Sequence, residues 1–195
     1  MSVATKTFGS LLVMGSVLAL QAAFAGTPQN ENIEVKVQIT GQNVSVDLSL
    51  VVPATRRQVW AVLTDFEHMS SFVSNLKESK VIGTSGPALK IFQRGSASYG
   101  LIDFSFESTR EILLTPYDKI ESHMISGSVS KMDGTTQLVE EDGGTRIIYH
   151  TDTIPGRWLP PIAGRHFIEH ETREQFQEIR DEILKRESSS LALNN

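Results

Sequence analysis

The 195 residues contain no cysteine. That excludes a thiol nucleophile, a CxxC redox pair, cysteine-ligated zinc, an iron–sulfur cluster, c-type haem attachment and a cysteine-linked lipid anchor. Basic residues are also in short supply, 18 Lys and Arg against 23 Asp and Glu, for a formal charge of −5. Nucleic acid is therefore not the expected partner, because phosphate binding rests on clustered cations. No nucleophile elbow, Walker loop or dinucleotide fingerprint occurs. The stretch Gly95-Ser96-Ala97-Ser98-Tyr99-Gly100 lacks the Lys and Ser/Thr pair of a phosphate loop. Neither a cofactor nor a catalytic residue is predicted. What is present is ordinary globular composition, 39% hydrophobic and 21% charged.

The first 25 residues read as a separate object. Lys6 supplies positive charge, Leu11 to Leu20 an apolar stretch broken by Gly15 and Ser16, and Ala23-Phe24-Ala25 fits a small-residue cleavage site. This is the pattern of a secretory signal peptide, shorter than an unbroken membrane span. Its removal takes away Lys6 and no acid, moving the charge from −5 to −6. The expected location is periplasmic or secreted.

Residues 26–43 form a polar leader with an added strand, in which Ile33, Val35, Val37 and Ile39 alternate with polar residues. Gly41-Gln42-Asn43 is a turn, and Val44, Val46, Leu48 and Leu50 resume the alternation, so a β-hairpin opens the domain. Thr55 is a candidate N-cap for a helix carrying Val59, Trp60, Val62 and Leu63. Phe66, Met69, Phe72, Val73 and Leu76 continue at helical spacing and predict a second short helix. Strands and turns fill Leu89 to Ile154. A long amphipathic helix then runs from about Ile162 to Arg186, with Ile168, Thr172, Phe176, Ile179 and Ile183 on one stripe. Residues 188–195 are predicted to be a flexible tail. The fold class is α+β, a curved antiparallel sheet wrapped around one long C-terminal helix, with residues 44–187 as the ligand-binding domain.

The segments Val51-Val52-Pro53-Ala54-Thr55, Val59 to Phe66, Phe72-Val73-Ser74-Asn75-Leu76 and Asp142-Gly143-Gly144-Thr145 carry a resemblance to a known group. In content and order they resemble the SRPBCC (START-like, helix-grip) superfamily, of the polyketide cyclase/dehydrase and coenzyme-Q-binding type. Where that family usually has a proline between the aromatic residue and Asn-Leu, this chain has Ser74. The resemblance implies a helix-grip fold and an apolar tunnel between sheet and helix, suited to a hydrophobic small molecule or lipid. It does not choose among carriers, quinone binders and cyclases.

Large residues on elements expected to face inward are the candidate lining: Phe92, Tyr99, Phe104, Phe106, Met124, Tyr149 and Phe176, with Arg94 or Tyr149 fixing orientation. Trp158, in an apolar loop between Arg157 and Arg165, is a candidate for the tunnel mouth and for transient membrane contact. His123, His150, Arg94, Asp103 and Glu121 are the acid/base candidates should the protein be an enzyme. His166-Phe167-Ile168-Glu169-His170 matches the H-x-x-E-H spacing of a zinc site. No third ligand follows it at the expected distance, so no metal is assigned. The expectation is a periplasmic binding or carrier domain for a hydrophobic small molecule or lipid, a quinone among the candidates. The alternative is a cyclase or dehydratase acting on an aromatic or polyketide-like substrate.

Overall fold

The computed structural model describes residues 33–99, 102–155 and 164–193, the side chains of Tyr99, 102–104 and Leu193 excepted. The segment expected to be a signal peptide and the Trp158 loop lie outside the described residues.

Eight strands form one antiparallel sheet in the order β1-β2-β8-β7-β6-β5-β4-β3. Strand β1 (Glu34–Thr40) turns into β2 (Asn43–Val52) through Gly41 and Gln42. Gly41 has φ 61°, the left-handed value that a two-residue hairpin loop asks of its first position. In β2 every second residue is buried, from Val44 through Val46, Leu48 and Leu50 to Val52. Its outer neighbour β1 buries only Val37, and Ile39 is exposed, unlike the expected half-buried strand.

Helix α1 (Arg56–Leu63) begins at a full capping box. Thr55 Oγ1 accepts from the Gln58 amide at 3.3 Å, and the Gln58 side chain accepts from the Thr55 amide at 2.8 Å. The second helix expected over Phe66 to Leu76 is a single 3-10 turn, Met69–Ser71. Phe66, Met69, Val73 and Leu76 are all buried as their spacing requires. Successive turns deliver them instead, through bonds such as His68 N to Asp65 O and Leu76 N to Val73 O. Three-residue steps cannot tell such turns from a helix.

The meander continues through β3 (Leu76–Ser85), β4 (Ala88–Tyr99), β5 (Ile102–Thr115), β6 (Lys119–Gly127), β7 (Lys131–Glu141) and β8 (Gly144–Ile154). Helix α2 (Arg165–Leu193) then packs Phe176, Ile179 and Ile183 into the main core beside Leu48, Val59, Ile91, Ile112, Leu138 and Ile147. It continues through the serine run that the sequence assigns to a tail. Ser188 and Ser189 donate to the Lys185 carbonyl and Ser190 to that of Glu187, bonds that let serine sit inside a helix. Arg186 ties α2 to the turn that follows α1, reaching Asp65 at 2.9 Å, and bonds Glu182 one turn back on α2 at 2.8 Å. The arrangement is the expected α+β helix-grip fold.

Candidate functional site

Strand alternation decides which residues meet α2. The buried Ile91, Ile112, Ile120, Leu138 and Ile147 mark the inward parity of β4 to β8. The same parity brings Gln93, Arg110, Ser122, Gly134, Thr136, Tyr149 and Thr151 to that face, in rows such as Ile112-Ser122-Gly134-Thr151 and Ile120-Thr136-Tyr149. A sheet face under a helix is an expensive place for polar groups. Here they surround a cavity of about 120 Å³, roofed by Gln175, Phe176 and Ile179 of α2 and walled by Leu63, Phe66 and Met69.

Arg110 is the centre of this set. One of its terminal nitrogens, Nη2, donates to Gln93 Oε1. Gln93 in turn donates to Ser79 Oγ at 3.0 Å and lies 3.3 Å from Met69 Sδ. The Arg110 Nε is buried and has no hydrogen-bond partner, and so is Ser122 Oγ. No carboxylate among the described residues pairs with Arg110. Burial pushes its pKa below the ordinary value, while the nearby Tyr149 hydroxyl pushes the other way. A guanidinium nevertheless keeps its proton inside proteins. Tyr149 stacks at a tilt on Phe176, with ring centroids 5.0 Å apart. Burial raises the pKa of its hydroxyl, opposed by a hydrogen bond with Thr151 and by the Arg110 charge, so it stays a neutral donor at physiological pH.

Of the residues singled out from sequence, Tyr149 and Phe176 line this cavity. Phe106 and Met124 face the same side but lie beyond its walls; Phe106 packs over Gly95, and Met124 pairs with Arg110. Phe92 and Arg94 are corrections. Both have the outward parity of β4: the Lys80 ammonium sits 5.4 Å above the Phe92 ring, and Arg94 bonds Glu78 at 2.6 Å. The side chains of Tyr99 and Phe104, and all of Trp158, lie outside the described residues. Arg110 does not stand out by apolar bulk; its signal in the sequence is its position on β5, in step with Ile112.

His123, His150 and Glu121 line a groove on the other face of the sheet, away from α2. His123 Nδ1 meets Asp133 there, and His150 bridges Asp47 at 2.7 Å and Asp152 at 3.3 Å. These pairs are solvent-facing and mutually satisfied. In the H-x-x-E-H segment His166 and His170 are exposed, and Glu169 is held by Arg173 at 2.7 Å. The group whose ligand atoms come within 4.8 Å of one another is His170, Glu171 and Glu174, so His166 is not part of it.

Comparison with known proteins agrees with this architecture. The sequence model of the family described as "Polyketide cyclase / dehydrase and lipid transport" matches residues 52–179. No curated protein matches the chain. Among solved structures, the chain is similar to a STAR-related lipid transfer protein from Xanthomonas axonopodis, with TM-score 0.63 and 12% identity over 77% of this chain and 93% of that one. It is also similar to the Zhui aromatase/cyclase from a Streptomyces species, with TM-score 0.60 and 16% identity over 74% and 95%. A START superfamily protein from Mycobacterium smegmatis gives TM-score 0.56 and 12% identity over 75% and 98%. At these identities the likeness is one of fold.

Proposed function

Because the chain belongs to the polyketide cyclase/dehydrase and lipid transport family, we propose that it binds and carries a hydrophobic small molecule between its sheet and α2. The observation that carries this reading is the cavity itself, apolar on its walls and at Phe176 and Ile179 of its roof, with polar groups on its floor. Such a mixture is what a small-molecule site requires, burial for affinity and a few placed donors for orientation. About 120 Å³ is below the usual range for a whole drug-sized ligand and close to that of an engineered cavity that takes up benzene. The cavity therefore admits a ring-sized group, and a longer lipid or a quinone tail extends beyond it. The signal-peptide pattern of residues 1–25 supports action in the periplasm or outside the cell.

A second reading, a cyclase or dehydratase, draws on one specific feature: Arg110 and Tyr149 set a cation and a neutral hydroxyl at the same cavity. Those groups are suited to stabilise a developing enolate. Organic extraction and mass spectrometry of protein isolated from its native periplasm separates the two. A stoichiometric hydrophobic species, absent from a denatured control and from an unrelated exported protein, is the expected result. Protein that carries nothing, but turns over a poly-β-carbonyl compound in a Tyr149-dependent way, overturns the carrier reading.

A further inference from the structure

We infer that the cavity is built for an organic carboxylate that enters head first, its anionic group against Arg110 and its apolar part directed away from the sheet. This rests on the proposed binding site and names the class of ligand that fits it. Arg110 is half-buried against the sheet with its Nε fully so, and a cation partly withdrawn from water is unfavourable without a counter-charge, which chains normally supply. This chain supplies Gln93, a neutral acceptor, and leaves the Arg110 Nε without any partner.

The surroundings narrow the ligand further. Ser122 Oγ, also buried and unpartnered, lines the same cavity, and the Tyr149 hydroxyl borders it. All three groups can donate hydrogen bonds, so the complementary group is an acceptor with several lone pairs and a negative charge. A carboxylate meets that description; an amine or an uncharged hydrocarbon does not. The volume of about 120 Å³ admits a benzoate-sized ring or the first carbons of a short acyl chain. Phe176, Ile179, Leu63 and Phe66 form the apolar surface for that part.

The test is a set of titrations of the full chain with benzoate, hexanoate, benzamide and toluene, followed by calorimetry and by the Nε–H resonance of Arg110 in 15N-labelled protein. Benzoate or hexanoate is expected to bind at least about tenfold more tightly than benzamide, the scale of a hydrogen bond to a charged group. The Arg110 Nε–H signal should move on saturation. In Arg110→Gln the preference for benzoate over benzamide should collapse toward unity, with Arg110→Lys recovering part of it. Toluene binding without preference for either carboxylate overturns the inference and leaves the proposed site standing. Failure of all four probes overturns both. A carboxylate preference that survives Arg110→Gln, or that leaves the Arg110 signal unmoved, places the anchor elsewhere and overturns the inference. The resonance shift needs no variant, so a misfolded substitution does not rescue the idea.

Discussion

Gly134 offers a direct test of whether the cavity is real space. It stands on the inward parity of β7, between Ser122 and Thr151, and contributes no side chain to the floor. A Cβ built there meets the His150 carbonyl at 3.4 Å and Thr151 Oγ1 at 3.5 Å, which is ordinary contact. Gly134→Ala therefore adds a methyl group to the cavity without moving backbone. Burying one methyl contributes about 0.8 kcal/mol. Replacing a strand glycine removes a further 0.5–1 kcal/mol or so of unfolded-state freedom. A net stabilisation of about 1–2 kcal/mol is expected, or roughly 3–6 °C in Tm for a domain of this size. Urea unfolding followed by tryptophan fluorescence measures it, with an unchanged m-value as the control for the same unfolded state. The same substitution should weaken toluene binding, because the methyl takes space from the ligand. Destabilisation by more than about 1 kcal/mol would mean the site is already filled and would refute the reasoning.

Gly95→Ala should behave in the opposite way. Its Cβ would fall 1.9 Å from the Asn75 carbonyl oxygen and 2.7 Å from Phe106 Cζ, and that carbonyl already accepts from the Ser96 amide. A loss of about 3 kcal/mol or more, or insoluble protein, is expected in denaturant unfolding, and near-neutral stability would disprove the close approach. Thr55→Ala removes one half of the capping box and should cost about 1 kcal/mol in the same assay, with the fold unchanged by circular dichroism. His150 sets a pH dependence. Its pKa is raised above 6.5 by the Asp47 hydrogen bond, against some desolvation, and further by Asp152. Its contribution is therefore complete below pH 6.5 and is lost as pH rises through the folded value. Stability measured from pH 6 to pH 9 should decline, and His150→Asn should flatten that decline; an unchanged profile in the variant would dismiss the pairing.

Much of the fold was legible because its elements are amphipathic in simple ways. The period-two runs of β1 and β2, the Thr55 cap and the apolar stripe of α2 each have one dominant local cause. The second helix failed because its apolar residues recur in steps that a series of tight turns satisfies equally well. The end of α2 failed for a related reason. Serine is read as a helix breaker from propensity, yet Ser188, Ser189 and Ser190 answer their own hydroxyls within the helix.

The site is legible in strand parity rather than in apolar bulk. Choosing large apolar residues selects core as readily as cavity, and it drew Phe92, whose parity is outward, into the candidate lining. Parity first and polarity second gives the better selection. Once Ile91, Ile112, Ile120 and Ile147 fix the inward face, the polar residues two steps away stand out: Gln93, Arg110, Ser122 and Tyr149. Each costs folding free energy where an isoleucine would not. Four such positions around one cavity support the proposed ligand site. The residues least favourable to the sheet are thus the ones on which the proposed ligand site rests, and Arg110, with its Nε unpartnered, is the narrowest constraint on the proposed ligand.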